Sequence, residues 1–152
     1  MDADCLIKLT KAGLKESIGK HVAIVIPEMV QREVVEAGKD KGYPDAALVE
    51  RNIAAGLIQI TGKSSSHRSG DDALVTVFQG EEYDAVATDD RKLTRILKAA
   101  NVPFILPGLI LYSLKQQGLM NQETALRSLD QLAPFISNDE YSTVRLLLEG
   151  RS

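Results

Sequence analysis

The stretch Asp84-Ala85-Val86-Ala87-Thr88-Asp89-Asp90-Arg91-Lys92-Leu93-Thr94-Arg95-Ile96-Leu97-Lys98-Ala99 changes its period midway. Residues 84–88 are a short run with Val and Thr that reads as a strand. Leu93, Ile96 and Leu97 then fall at helical spacing, which predicts a helix over 91–99. A strand running directly into an amphipathic helix is half of a βαβ unit. Two acids, Asp89 and Asp90, stand at the junction.

The same alternation extends outward. Residues 22–26, 57–61 and 102–106 read as further strands. Helices are expected over 5–17, 28–38, 44–55 and 71–79. Alternating strands and helices imply crossover connections and a parallel sheet covered on both faces. Functional groups in such sheets gather beyond the carboxyl ends of the strands. After residue 107 the pattern is helical only, over 108–117 and 122–136. A last helix follows from Ser137 and Glu140, which have capping-box spacing. The expected fold is α/β: a central parallel sheet in a three-layer α/β/α arrangement, with a C-terminal helical extension. Residues 1–107 form the sheet-bearing domain, and 108–152 pack on that same domain.

With 152 residues the chain suits one domain. Apolar residues make up 44% and charged residues 26%, which excludes a disordered chain. One cysteine, Cys5, excludes a disulfide framework and a cysteine zinc cage. Cys5 opens an apolar helix and reads as a core residue. With His21 and His67 alone, a multi-histidine metal site is excluded as well, and His67 reads as a loop residue. No run is long and apolar enough for a membrane span, and the start is not a signal peptide, so the expected compartment is the cytoplasm. The net charge of −3 excludes a surface coated with basic residues.

The acids fall in a pattern. Asp2 and Asp4 precede the first apolar helix, and a strand ending at Asp2 would place its carboxylate at a strand's carboxyl end. Asp71 and Asp72 open the 71–79 helix, and Asp89 and Asp90 follow strand 84–88. Glu33 lies between Val30 and Val34, one turn into the 28–38 helix and near the carboxyl end of strand 22–26. Each has a plain structural alternative. Asp71, Asp72 and Asp89 suit helix starts, Asp2 a frayed end, and Glu33 a side chain reaching solvent. If the sheet brings these acids to one edge, their mutual repulsion calls for a cation. Oxygen ligands without His or Cys favour Mg²⁺ or Mn²⁺ over Zn²⁺.

Four segments in order, Asp-x-Asp-x-Leu-Ile, Ile-Pro-x-x-Val-x-x-Glu, Gly-Asp-Asp-Ala-Leu-Val and Val-Ala-Thr-Asp-Asp-Arg-x-Leu, resemble a PIN domain, from Asp2 to about Pro107. The resemblance implies a PIN-like fold and a metal-dependent ribonuclease of toxin–antitoxin modules or of RNA processing. It matches Asp2 to the family's first acid, Asp4 to a small polar position, and Glu33 to the second acid. Asp71 or Asp72 matches the third, according to register. Asp90 matches the fourth, with Asp89 beside it and Thr88 two residues before. Family members carry several apolar strand residues before the first acid. Here Met1 alone precedes Asp2, so strand 1 is a stub or the start lies upstream.

The implied chemistry is hydrolysis of single-stranded RNA by water activated by Mg²⁺ or Mn²⁺. The implied metal ligands are Asp2, Glu33, Asp71, Asp72, Asp89 and Asp90, and Thr88 orients a water or a phosphate oxygen. Two basic segments could hold RNA. One is the loop 62–70, and the other is the helix face of Arg91, Arg95 and Lys98. Low aromatic content, 5%, argues against extensive base stacking. The expected partners are RNA, an antitoxin protein and a second copy in a homodimer. Two other readings share these residues. One is a haloacid-dehalogenase-like phosphatase with Asp2 as nucleophile, although the Gly-Thr of that family is replaced by Cys5 and Leu6. The other is an inactive PIN-like scaffold or RNA-binding module.

Overall fold

The computed structural model describes residues 1–36, 44–61, 70–80 and 83–150, with the backbone alone at 44, 45, 70–72 and 80. Helix α1 (Ala3–Lys11) starts at Asp2, whose carboxylate accepts the Cys5 N–H at 2.9 Å. It buries Cys5, Leu6 and Leu9, as its apolar spacing requires. The expected 5–17 helix is broken at Gly13, which takes φ +74°. Leu14 N–H returns to Leu9 O and Gly13 N–H to Thr10 O, a Schellman closure. Helix α2 (Lys15–Gly19) follows.

Strand β1 (Ile24–Pro27) runs parallel to β2 (Ile58–Thr61), with Ile24 opposite Ile58. After Pro27 the chain enters α3 (Glu28–Gln31), which widens into a π turn over Arg32–Glu36. The wider turn carries an extra residue. Val34 and Val35 are both buried there, and Glu33 faces solvent. Helix α4 (Pro44–Ala54) packs on β2, α1 and the π turn, and α5 (Gly70–Gly80) packs on β1 and α3.

Strand β3 (Val86–Ala87), helix α6 (Arg91–Ala99) and strand β4 (Phe104–Ile105) form the βαβ unit expected from 84–106. Leu93 and Leu97 are fully buried, while Arg91, Lys92, Arg95 and Lys98 are exposed. Asn101 at φ +57° takes the left-handed position that ends the helix.

The strands form two parallel pairs, β1–β2 and β3–β4. The first two residues of the chain tie the pairs together. The Met1 ammonium donates to the Val25 carbonyl at 3.1 Å, and the Asp2 N–H donates to the Ala87 carbonyl at 3.1 Å. The chain therefore lies between β1 and β3 at this point. A cleft of about 770 Å³ lies against Met1, lined by Val22–Val25 on one side and Asp84–Ala87 on the other. Leu74, Phe78 and Leu114 also line it.

Helices α7 (Pro107–Gln116), α8 (Gln122–Leu132) and α9 (Asn138–Leu148) pack on one another. The expected 122–136 helix ends at Leu132, because Pro134 tightens the next residues into a 3₁₀ turn over Ala133–Phe135. Leu111, Leu114, Leu129, Leu132, Val144 and Leu148 belong to the same buried cluster as Leu6, Ile26 and Leu93. Among the described residues no helix is long and apolar enough to cross a membrane.

Candidate active site

Asp2 is 5% exposed and lies at the carboxyl end of the strand layer. Its Oδ1 accepts the Cys5 N–H, and its Oδ2 accepts the Thr88 hydroxyl at 2.5 Å. Thr88 is fully buried, and its Oγ1 also accepts the Asp90 N–H at 3.1 Å. One threonine thus fixes the first acid of the chain against the turn after β3. Burial pushes the Asp2 carboxyl above the usual carboxylate range. It prevails over the pull of the Thr88 and Cys5 hydrogen bonds and of the nearby ammonium of Met1.

Asp90, not Asp89, caps α6. Its Oδ1 accepts from Lys92 N at 2.8 Å and from Leu93 N at 3.4 Å. Asp89 is freed from the cap and pairs with Lys8 on α1, whose Nζ lies 2.8 and 2.6 Å from its two oxygens. Burial works to lower the Lys8 pKa, but the hydrogen bond and charge of Asp89 outweigh it and hold the ammonium above its usual range. Lys8 is not conspicuous in the sequence, since 81 residues separate it from Asp89.

Glu140 is a second member that the sequence did not announce. Ser137 Oγ accepts the Glu140 N–H at 3.0 Å, so the expected Ser137 cap forms. The Glu140 carboxylate does not return to that cap. Its Oε2 accepts the Gly108 N–H at 2.9 Å and so caps α7 instead. A Cβ on Gly108 would stand 3.0 Å from Val144 Cγ2 and 3.1 Å from Glu140 Oε2, which is why a residue without a side chain fits there. Burial raises the Glu140 pKa first. The Gly108 bond opposes it, and the negative charge of Asp89 adds to it. The C-terminal helices therefore deliver an acid into the electrostatic field of Asp89 and Lys8.

Glu33 stands on the solvent face of the π turn, and that turn packs against α1. Asp71 and Asp72 lie in the first turn of α5, and their side chains fall outside the described residues. The basic loop, including His67, falls outside them over 62–69. Cys5 is fully buried in the core, and burial pushes its thiol well above its usual range. Among the described residues no three His, Cys, Asp or Glu side chains converge closely enough to hold a metal ion.

The donors around Thr88 nonetheless suit a hard cation. They are carboxylate and hydroxyl oxygens only, and the Asp2 charge is costly where it stands. A divalent ion would offset that cost.

The family model DUF3368, a PIN domain, matches residues 1–149. The match takes in α7, α8 and α9 as well as the strand-bearing part. No curated protein and no solved structure matches the chain significantly. PIN domains are typically nucleases and generally use divalent metals. With parallel strand pairs, the βαβ unit and the acid-bearing edge in place over that whole span, the chain belongs to the PIN domain family.

Proposed function

We propose that this protein is a Mg²⁺- or Mn²⁺-dependent ribonuclease that hydrolyses phosphodiester bonds of single-stranded RNA. The observation that carries the reading is the Asp2–Thr88–Asp90 linkage, which holds two acids from distant parts of the chain at one strand edge. Asp2 and Asp90, with Asp71 or Asp72 and with Glu33 drawn in from the π turn by the ion, would hold the metal. When bound, the metal lowers the pKa of a water and neutralises charge on the phosphate. Thr88 keeps Asp2 aimed, and Lys8 neutralises Asp89 so that the acids do not simply repel a phosphate. A carboxylate of this set left over from the metal would take the proton of the attacking water.

A phosphatase would need Asp2 as a nucleophile. Both Asp2 oxygens are already engaged and the residue is buried, which favours a ligand role. The same reading extends to a toxin working with an antitoxin protein, to a homodimer, and to the cytoplasm.

The test is incubation of the pure protein with labelled single-stranded RNA, with and without Mn²⁺. Mn²⁺-dependent cleavage by the wild type, lost in Asp90→Asn, supports the proposal. No cleavage, or equal cleavage by Asp90→Asn, overturns it and leaves a non-catalytic PIN-like scaffold.

A further inference from the structure

A groove of about 390 Å³ opens beside Asp89, between α6 and α9. That volume falls within the ~300–1,000 Å³ of small-molecule sites. Arg91, Thr94 and Lys98 stand on its α6 wall, and Asp139 and Thr143 on its α9 wall. Phe104 and Leu109 supply apolar surface between them. The Lys98 ammonium stands 5.8 Å from the centre of the Phe104 ring.

We infer that this groove is a nucleotide subsite, taking the nucleotide next to the scissile phosphate of a single-stranded RNA. The inference rests on the ribonuclease reading and adds a place and an orientation for the substrate. The groove is continuous with the acid edge, because Asp89 lines it and Thr88 and Asp90 adjoin Asp89. The two walls differ in chemistry. The exposed cations Arg91 and Lys98 on α6 suit phosphate oxygens. The α9 wall offers the Asp139 carboxylate and the Thr143 hydroxyl, which suit base edges carrying an amino group. Phe104 gives a base one face to lie against. A nucleotide therefore enters with its backbone toward α6 and its base toward α9. The groove accordingly selects bases with an exocyclic amino group over uracil. The C-terminal helices thereby become part of substrate recognition.

The test uses the full chain and four variants at groove residues: Lys98→Ala, Phe104→Leu, Thr143→Val and Asp139→Asn. Binding of a short fluorescent single-stranded RNA is followed by anisotropy in EDTA, and cleavage is followed in Mn²⁺. Thermal melts check that each variant is folded. Lys98→Ala is expected to raise Kd and KM several-fold with kcat little changed, and to flatten the log–log salt dependence by about 0.7, one single-strand phosphate contact. Phe104→Leu raises Kd, while Asp139→Asn shifts the distribution of cleaved positions toward uracil. If the wild type cleaves and all four folded variants match it in Kd, KM and cut positions, the groove inference is overturned and the ribonuclease reading stands. If the folded wild type neither binds nor cleaves RNA, both fall.

Discussion

The Thr88 hydroxyl donates to the Asp2 carboxylate across 86 residues of sequence, and the same oxygen receives the Asp90 N–H. This side chain makes no covalent change in the proposed reaction, yet it sets where both acids stand. Thr88→Val keeps the shape and removes the oxygen. It leaves the Asp2 Oδ2 and the part-buried Asp90 amide without their Thr88 partner, while Oδ1 keeps the Cys5 N–H, at a cost of about 1–3 kcal/mol for an unsatisfied buried group. Loss of such a supporting partner lowers metal affinity or activity by roughly 10–100-fold. Mn²⁺ titration by calorimetry and RNA cleavage assays should both show the loss, and Thr88→Ser should restore most of it. A Thr88→Val protein with unchanged Mn²⁺ affinity would remove Thr88 from the site.

Asp2 and Glu140 both have folded pKa values raised by burial. Their stabilising contribution is full below the unfolded values of about 3.9 and 4.3 and is lost as pH rises through the folded values. These two carboxyls should therefore make metal-free protein resist urea better as pH falls through their folded values. The Met1 amine, whose pKa burial lowers, acts in the opposite sense, since its contribution is lost as pH falls. Asp2→Asn isolates the carboxyl: it should flatten the acidic-side gain and raise stability at neutral pH while abolishing cleavage. Added Mn²⁺ should raise the melting temperature of the wild type at neutral pH and leave Asp2→Asn unmoved. A melting temperature for Asp2→Asn below that of the wild type at neutral pH would contradict this account.

The Lys8–Asp89 pair is part-buried, with side chains 27% and 13% exposed. Lys8→Met removes the cation and leaves the Asp89 charge uncompensated, with an expected loss of about 1–3 kcal/mol, between exposed and buried pairs. The extra negative charge should also tighten Mn²⁺ binding. Stability and Mn²⁺ affinity would then move in opposite directions, a pattern that simple damage to the fold does not produce. Melting curves and calorimetry on the same sample decide it.

Gly108 sits where Glu140 and Val144 close over the start of α7. Gly108→Ala forces the Glu140 carboxylate and the Val144 methyl apart, at about 1–3 kcal/mol for overpacking. Chemical denaturation should show the loss, and Glu140→Gln should not, because its side-chain oxygen still accepts the Gly108 N–H. Equal stability of Gly108→Ala and wild type would mean that α9 yields freely at this point.

Local signals made much of this legible. Helix α6 falls on residues 91–99 as its Leu93–Leu97 spacing requires, and the strands lie within or beside their expected runs. The acids at strand ends were visible because each stands next to an apolar run that positions it. What escaped depends on distance or on one-residue geometry. Lys8 lies far along the chain from Asp89, and no local pattern singles it out. The cap at the 89–90 junction shifted by one residue, because Ser, Thr, Asp and Asn all suit a helix start and two adjacent Asp compete for it. The π turn at Arg32–Glu36 turns Glu33 outward, and a period of 3.6 residues cannot anticipate an added residue. Glu140 shows the spacing of a capping box, yet its carboxylate found a better donor on another helix.

The Met1 nitrogen also carries a practical consequence. It is part-buried between the strand pairs, one residue from Asp2, and the neighbouring cleft is the space beside it. Any residues ahead of Met1, a purification tag included, must pass through that space, so a tag there will bear on the acid edge in a way that one at the far end will not. Parallel preparations tagged at opposite ends should therefore differ in Mn²⁺ response, and matching responses would show that the amino end tolerates fusion.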